Sequence, residues 1–384
     1  MPSAKPSLDP VDTGSSTSPT GTLTLLTPQG QPRAIISAST LTAFRTALAS
    51  TLLLKGRKHA HSLTVFGAGR QAQWHIHLAL LLRGSDIHHL HLINRSFERA
   101  ASLYKALAEH RNPVMQSIWL EGKLRPNILT PDYGEYSRLA KEAIRSSDVI
   151  FCCTPSTEPV FPHSWLTSTE GRKKARYIAA VGSYKPHMAE IPVEILQQAV
   201  RGPEPQHGIV HHRAANEGGA VVVDTIEGAM TEAGEIINSG IGGQGVVELG
   251  ELVMLKRSHW AEKTEREERE RAKREIEGKT KESGGGHGIS HLFKKGHSRS
   301  DSQDKRGRGK SQEPASRKGS RSRSQARRLE GEVEVSDGGL QDWLQRGNVV
   351  YKSVGIGLMD VVVGMEVVRI AEERGIGTTF DDFN

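Results

Sequence analysis

Cysteine is nearly absent from this 384-residue chain: Cys152 and Cys153, adjacent in sequence, are the only two. Two cysteines cannot build a disulfide framework, so a reducing, cytoplasmic setting is expected. The sequence also lacks any run of about 18 apolar residues that could span a bilayer, and its N-terminus lacks the apolar stretch of a secretory leader. No membrane partner is therefore expected. Hydrophobic residues make up 36% of the chain, below the ~45–50% of ordinary globular proteins even after allowing for glycine. A sizeable part of the chain should then contribute little to a core.

Net basic charge is scarce outside one segment. The net charge is +7, and residues 258–338 hold 21 Lys/Arg against 15 Asp/Glu, which leaves about +1 for everything else. The domain-wide basic footprint of a nucleic-acid-binding protein is missing, and nucleic acid is not an expected partner. Within 258–338, residues 261–277 are a dense mixture of Glu, Lys and Arg. Beyond them come Gly284–Gly286 and the Ser-Arg pairs of 319–324. With almost no large apolar residues, this segment cannot offset the entropy of ordering, and a disordered basic insertion is expected. Residues 1–20, rich in Ser, Thr and Pro, read as a disordered tail.

What is present is an alternation of apolar runs and helical patterns. Residues 22–25 and 34–36 read as short strands with Gly30 in the turn. A helix is expected over 41–54, capped by Ser39 and Thr40. Strands follow at 62–66, 90–93, 149–153, 177–182 and 221–224. Helices are expected after Gly67–Ala72, over 96–109, 136–145 and 227–237, and again over 355–373. Residues 110–135 read as irregular. Strands that alternate with helices predict a parallel sheet covered on both faces.

The strand 62–66 runs into Gly67-Ala68-Gly69-Arg70-Gln71-Ala72. In this glycine pattern the first glycine allows a tight turn and the second lets a pyrophosphate approach the backbone. The small third residue lets helix pack on strand, and the helix N-terminus offers free N–H groups. A strand before it, a helix after it and a second strand at the right distance make it a dinucleotide fingerprint rather than an ordinary turn. At the end of the second strand, where an NAD site carries an acid, stand Asn94-Arg95-Ser96. A guanidinium and a hydroxyl there suit a 2′-phosphate, so NADP(H) is favoured over NAD(H). Thr154-Pro155-Ser156 closes the strand 149–153 and should lie beside the cofactor. The cysteines before it read as small buried residues. The histidine groups 59/61, 75/77 and 88/89/91 lack zinc-like spacing, and His75 and His77 point about 200° apart on a helix. No metal is expected.

Taken together, these segments resemble the ornithine cyclodeaminase/mu-crystallin family. The resemblance is carried by Leu41–Ala47, the 67–73 loop, Cys153–Ser156, Ala180–Pro186, Val223-Asp224, Glu248–Glu251 and Tyr351–Gly355, in the family's order. It implies an α/β fold with a Rossmann-type dinucleotide-binding domain (55–257) inserted in a second α+β substrate and dimerisation domain. Residues 21–54 and 347–376 would be the remnant of that second domain, left incomplete because the family's roughly hundred preceding residues have no counterpart here. It further implies a homodimer and a small amino- or imino-acid substrate. Arg45 would grip the substrate carboxylate, a task suited to a planar bidentate donor. Val181, Gly182, Ser183, Lys352 and Ser353 would line the site with the cofactor-binding residues above. Tyr184 stands where ornithine cyclodeaminases place a catalytic aspartate. With an ordinary pKa of about 10, it cannot replace a carboxylate base. No catalytic residue is assigned.

The expected activity is therefore NAD(P)H-dependent reduction of a cyclic imino acid, or oxidoreduction of an amino acid. The alternatives are a non-catalytic NADPH-binding protein of mu-crystallin type, a reading frame lacking its first exon, and an ornithine cyclodeaminase. An RNA-associated protein acting through 258–338 is a further one.

Overall fold

A computed structural model describes residues 20–110, 112–200, 219–254 and 344–378. The expected tail, apart from Thr20, and the expected insertion 258–338 lie outside the described residues.

Apolar runs without alternation fit strands covered on both faces. Strands β3 (Ser62–Phe66), β6 (Val149–Cys152) and β7 (Tyr177–Ala180) are such runs, and every residue in them is buried. They form the middle of an eight-stranded sheet with β4 (His89–Ile93), β5 (Arg125–Leu129), β8 (Gly219–Val223), β9 (Val246–Glu248) and β10 (Asn348–Lys352). The order is β5-β4-β3-β6-β7-β10-β8-β9, and every pairing is parallel. The pleat sends alternate residues to opposite cores. Leu63, Val65, Tyr177 and Tyr351 pack with Leu54 of α1 (Ala38–Lys55), Ile76 and Leu80 of α2 (Arg70–Arg83), and Leu103 of α3 (Phe97–Ala108). Phe66, Ile150, Ile178 and Val350 pack on the other face. Their partners are Ile144 of α5 (Tyr136–Ser146), Leu196 of α7 (Val193–Val200) and Ile236 of α9 (Gly234–Ser239).

The grouping of 347–376 with 21–54 needs correction at its first strand. β10 lies inside the large sheet, with Val350 opposite Ile178 of β7 and Val221 of β8. The helix that follows, α10 (Gly357–Arg374), does pack with the N-terminal elements, on α1 and β1 (Thr22–Leu26). β1 pairs antiparallel with β2 (Pro32–Ser37) in a separate two-stranded sheet, and Gly30 turns between them at φ +85°.

Three local expectations also change. Residue 37, not 39 or 40, is the N-cap of α1, with no side-chain cap, so Ser39 and Thr40 lie inside the helix. Residues 110–135 contain α4 (Pro113–Leu120), which Asn112 caps through Val114 N and Met115 N, and the mostly exposed edge strand β5. The helix expected over 227–237 is two: α8 (Ile226–Glu232), capped by Thr225, and α9. Ala233 between them adopts φ −88°, ψ 101°. A Cβ on Gly234 would lie 2.2 Å from the Met188 carbonyl oxygen, so the chain must break course there.

β3 sits between β4 and β6, so the crossovers leave it in opposite directions along the sheet. The crevice at the carboxyl ends of β3 and β6 is the topological switch point where open α/β sheets place ligands.

Candidate functional site at the carboxyl edge of the sheet

Gly67 makes the turn out of β3 with φ +103°. A Cβ there would lie 2.9 Å from the Cys153 carbonyl oxygen and 3.1 Å from Thr154 Cγ2. Only glycine fits, because the β6 turn presses against the loop. At Gly69 a Cβ would meet nothing within 4 Å, so the backbone faces open space at the residue meant to meet a pyrophosphate. Gly69 is the N-cap of α2, and no side chain caps the helix. Ala72 is buried, and the buried Gln71 Oε1 has no hydrogen-bond partner. Ala68 is half-buried, and the exposed Arg70 reaches back to the Ser39 hydroxyl of α1. The donor-rich turn, the open backbone and the orphaned amide oxygen fit a dinucleotide.

At the end of β4, Asn94 Nδ2 donates to the Ser96 carbonyl at 2.8 Å. Ser96 caps α3, accepting from Arg99 N at 3.2 Å, and donates to Glu98 at 2.8 Å. Its hydroxyl is thus already engaged, whereas Arg95 is exposed beside it.

Thr154 stands beside the Gly67 loop, and Pro155 and Ser156 follow it. Ser156 is turned into its own loop, donating to the Glu158 carbonyl at 2.5 Å. Burial pushes both the Cys152 and Cys153 thiols well up, and the nearby Glu190 charge adds to it. Neither is a ready nucleophile.

Two carboxylates not anticipated from the sequence organise the β6 and β7 turns. Glu190 is fully buried. It accepts from Thr154 N at 2.6 Å, Thr154 Oγ1 at 3.1 Å, Gly182 N at 2.6 Å and Ser183 N at 3.2 Å. Burial raises its pKa, while Lys352 and the backbone donors pull the other way. Glu235, also fully buried, accepts from the Ser183 hydroxyl and from Glu190 N, the latter at 2.7 Å. Its second oxygen lies 3.4 Å from the Lys352 ammonium, an ion pair without hydrogen-bond geometry. Lys352 donates to the Ser183 carbonyl and hydroxyl. Lys352 and Ser183 thus meet, with Gly182 beside them, but the lysine is 1% exposed and holds the turn from below. Val181 is buried in the sheet, and Tyr184 projects outward, 49% exposed. The only sign of the two carboxylates in the sequence is their isolation among apolar neighbours, Met188 and Ile191 for one and Ile236 for the other.

Asp224 ends β8 and fixes the chain beyond β10. It accepts from the Tyr351 hydroxyl, from Ser353 Oγ at 2.7 Å, from Val354 N at 3.1 Å and from Gly355 N at 2.8 Å. Against this turn lies Arg45 of α1, 9% exposed, whose Nε donates to Asp360 Oδ1 at 3.1 Å. Arg45 is therefore at the same edge as the Gly67 loop, and it already has an acidic partner. Among the described residues no three His, Cys, Asp or Glu side chains are placed to hold a metal ion. No described helix is long and apolar enough to cross a membrane.

Residues 11–117 match the family profile described as the ornithine cyclodeaminase/mu-crystallin family. An uncharacterised Saccharomyces cerevisiae protein is 31% identical over 255 residues, 62% of this chain and 64% of that protein. Delta(1)-pyrroline-2-carboxylate reductase of Bacillus thuringiensis is 30% identical over 54% of this chain and 50% of its own. The ketimine reductase mu-crystallin of Rattus norvegicus is 26% identical over 61% and 59%. The matches thus span between half and two thirds of these relatives. Among solved structures, Thermococcus litoralis Delta(1)-pyrroline-2-carboxylate reductase in complex with NADH and L-proline superposes with a TM-score of 0.54. Identity is 17%, with 94% of this chain and 74% of that one covered. An archaeal alanine dehydrogenase dimer with bound NAD gives 0.52 at 18% identity, over 95% and 75%. At these identities the superpositions show the fold, a Rossmann-like α/β arrangement. The profile match over residues 11–117, the sequence relatives and the order of its motifs make the chain similar to the ornithine cyclodeaminase/mu-crystallin family.

Proposed function

We propose that the chain binds a nicotinamide dinucleotide, NADP(H) in preference to NAD(H), and reduces the C=N bond of a cyclic imino acid. The observation that carries this reading is the pairing, on one sheet edge, of the Gly67–Ala72 cradle with the Arg45 guanidinium set against the 353–355 turn. The reductases and the mu-crystallin among its relatives support it.

The pyrophosphate would take the free N–H groups at the start of α2. Arg95 would meet the 2′-phosphate, while Asn94 and Ser96 shape the turn that presents it. Thr154, Pro155, Ser156 and the 181–183 turn would border the nicotinamide end, with Glu190 and Lys352 fixing their backbone. When bound, the nicotinamide supplies the hydride donor. Arg45 would hold the substrate carboxylate and so place the reacting carbon, since positioning alone is worth about 10²-fold or more. Residues 21–54 and α10 would belong to the substrate and dimerisation part, and the chain would act as a homodimer. Tyr184, an outward-pointing phenol where a catalytic carboxylate would serve cyclodeamination, speaks against that activity; a second reading is a non-catalytic NADPH-binding protein.

Titration followed by the fluorescence of the reduced nicotinamide tests the cofactor. NADPH should bind more tightly than NADH, and Arg95→Glu should reverse the order. Equal affinities in the unmutated chain would sink the preference. NADPH oxidation with a panel of cyclic imino acids then separates the two readings, because the second allows binding without turnover.

A further inference from the structure

The turn that leaves β4 carries charges of both signs. Asn94 N donates to the Leu129 carbonyl at 3.2 Å and Asn94 Nδ2 to the Ser96 carbonyl at 2.8 Å, so the neighbouring strand and the turn's own groups hold it in shape. Arg95 and Glu98 project from it, both exposed. They do not pair with one another. Glu98 Oε2 takes the Ser96 hydroxyl at 2.8 Å, and Arg95 has no hydrogen bond or ion pair among the described residues. Glu98 stands in the first turn of α3, where the helix dipole favours a negative charge. Its own N–H and the Ser96 hydroxyl hold its carboxyl below the usual carboxylate range, so it is charged at neutral pH.

The Ser96 hydroxyl limits what this turn can read. A serine hydroxyl has one hydrogen to give. Here that hydrogen goes to Glu98, while a lone pair accepts from Arg99 N at 3.2 Å. A 2′-phosphate held by Arg95 must compete with Glu98 for it. A phosphate oxygen that took the hydrogen would lie no more than about 6 Å from Glu98 Oε2, two O–H···O distances end to end. A phosphate monoester carries about −1.5 to −2 charges at neutral pH. Against a charged carboxylate at that separation in water, the repulsion amounts to about tenfold in affinity. A free 2′-hydroxyl brings no such charge and can donate to the same carboxylate. Helix capping does not account for this acid. In a capping box the acid stands three residues after the cap and takes the cap's backbone N–H, whereas Glu98 stands two after Ser96 and takes its side chain.

We infer that Glu98 is a specificity-determining residue that opposes Arg95. Arg95 selects the 2′-phosphate of NADP(H). Glu98 repels that phosphate and accepts the 2′-hydroxyl of NAD(H), so the chain takes both cofactors with NADP(H) only modestly ahead. This rests on the reading of the 94–96 turn as the 2′-phosphate site. It goes further in assigning the strength of the preference to the balance of two opposite charges on that turn.

The test uses the full 384-residue chain, with NADPH and NADH titrated by the fluorescence of the reduced nicotinamide. The quantity is the ratio of the two dissociation constants, NADH over NADPH. Glu98→Gln keeps an acceptor for the Ser96 hydroxyl and removes the charge. It should raise the ratio about tenfold, mostly through tighter NADPH binding. In about 1 M NaCl, where the Debye length is about 3 Å, that gain should shrink to less than about threefold. Arg95→Ala should remove the preference for NADPH. A purely structural role at the start of α3 would lower the melting temperature of Glu98→Gln and leave the ratio and its salt dependence alone. If Arg95→Ala removes the preference while Glu98→Gln leaves the ratio within about twofold, the inference fails and the reading of the 2′-phosphate site stands. If the unmutated chain binds both cofactors equally or prefers NADH, that reading fails and takes the inference with it. Glu98 is exposed, so its replacement by Gln leaves the fold intact and the ratio readable.

Discussion

The central strands of the eight-stranded sheet are covered on both faces, whereas the β1–β2 ribbon and α10 leave Leu26, Ile35, Leu358 and Val362 more than half in solvent. Both regions come from similar apolar patterning, and the contrast lies in what covers them. Around β3, β6 and β7 each inward side chain meets a helix from one of two layers. Among the described elements the β1–β2 ribbon packs on α1 and α10, and a two-stranded ribbon is marginal by itself. The turns at the large sheet's carboxyl edge are also cross-braced by buried charge, through Glu190, Glu235, Lys352 and Asp224. Between β2 and α10 the brace is an exposed pair, Arg33–Glu372 at 3.1 Å, of a kind worth at most about 1 kcal/mol. The carboxyl edge of the sheet is thus braced by buried groups, and the ribbon with α10 is a surface with apolar area to spare.

The sharpest way to break this contrast is at Lys352. Replacing it with Met leaves two buried carboxylates without their cation, and removing one partner of a buried pair costs about 3–5 kcal/mol. Urea denaturation should show a loss of that size. Adding Glu235→Gln should recover a good part of it, because the second change removes one of the orphaned charges. A loss under about 1 kcal/mol would mean that water reaches this cluster and that the edge is not braced as described.

A somewhat smaller effect is expected with pH. His75 is fully buried. Its Nδ1 lies 2.7 Å from the Gln71 carbonyl, which can only accept, so the neutral ring carries its proton there and takes Ser50 Oγ at 2.9 Å on Nε2. Burial pushes its pKa down from 6.5 to about 4. The unfolded chain takes up a proton below pH 6.5 that the fold refuses until about pH 4. The fold should therefore be most stable above pH 6.5 and lose up to about 3 kcal/mol as pH falls through that window. His91, pushed down to about 4 as well, adds in the same direction. His75→Gln should flatten the slope of stability against pH between 6.5 and 4. An unchanged slope would assign acid lability elsewhere.

At the crevice itself, Gly67→Ala forces a Cβ into a residue at φ +103° and against the Cys153 carbonyl. Strain of this kind is about 1–3 kcal/mol, so dinucleotide affinity should fall about ten- to hundredfold in a fluorescence titration. Unchanged affinity would show that the turn can relax.

What was legible in the sequence follows the same division. Gly67 announces itself because local geometry admits only glycine there, Gly69 and Ala72 because they complete the motif's spacing, and the buried strands because their runs are unbroken. β10 was not legible as a strand of the large sheet, and residues 347–376 were grouped with 21–54 instead. Val349-Val350-Tyr351 says that both faces are covered, and nothing local says by which strands. β5 was missed because Arg125-Pro126-Asn127 carries an edge strand's composition, with a proline that a central strand would not tolerate. The carboxylates that brace the site were illegible for a different reason. Glu190 and Glu235 act through backbone groups of distant turns, and an acid with that role looks like any solvated acid. Arg45 was singled out through the family resemblance; its partners Asp360 and Gly355, more than 300 residues away, were not.

The smallest expected change in the protomer itself is on α10, and it probes the homodimer. Leu358, Val361, Val362 and Met365 are 65%, 50%, 60% and 44% exposed and recur at the spacing that lines one face of a helix. Changing Leu358 and Val362 to Ser removes no buried contact from the protomer, and surface substitutions of this kind stay within about 0.5 kcal/mol each. A second copy of the chain is the proposed cover for this row. If a second copy does cover it, association adds to apparent stability by mass action, and the melting temperature of the unmutated chain rises with protein concentration. The Leu358→Ser, Val362→Ser variant should melt at a temperature independent of concentration and sediment as a monomer, with NADPH affinity unchanged because the Gly67 crevice lies on the other sheet. A monomeric, concentration-independent parent chain would remove this face from the dimer proposal and leave its apolar row to be explained by something else.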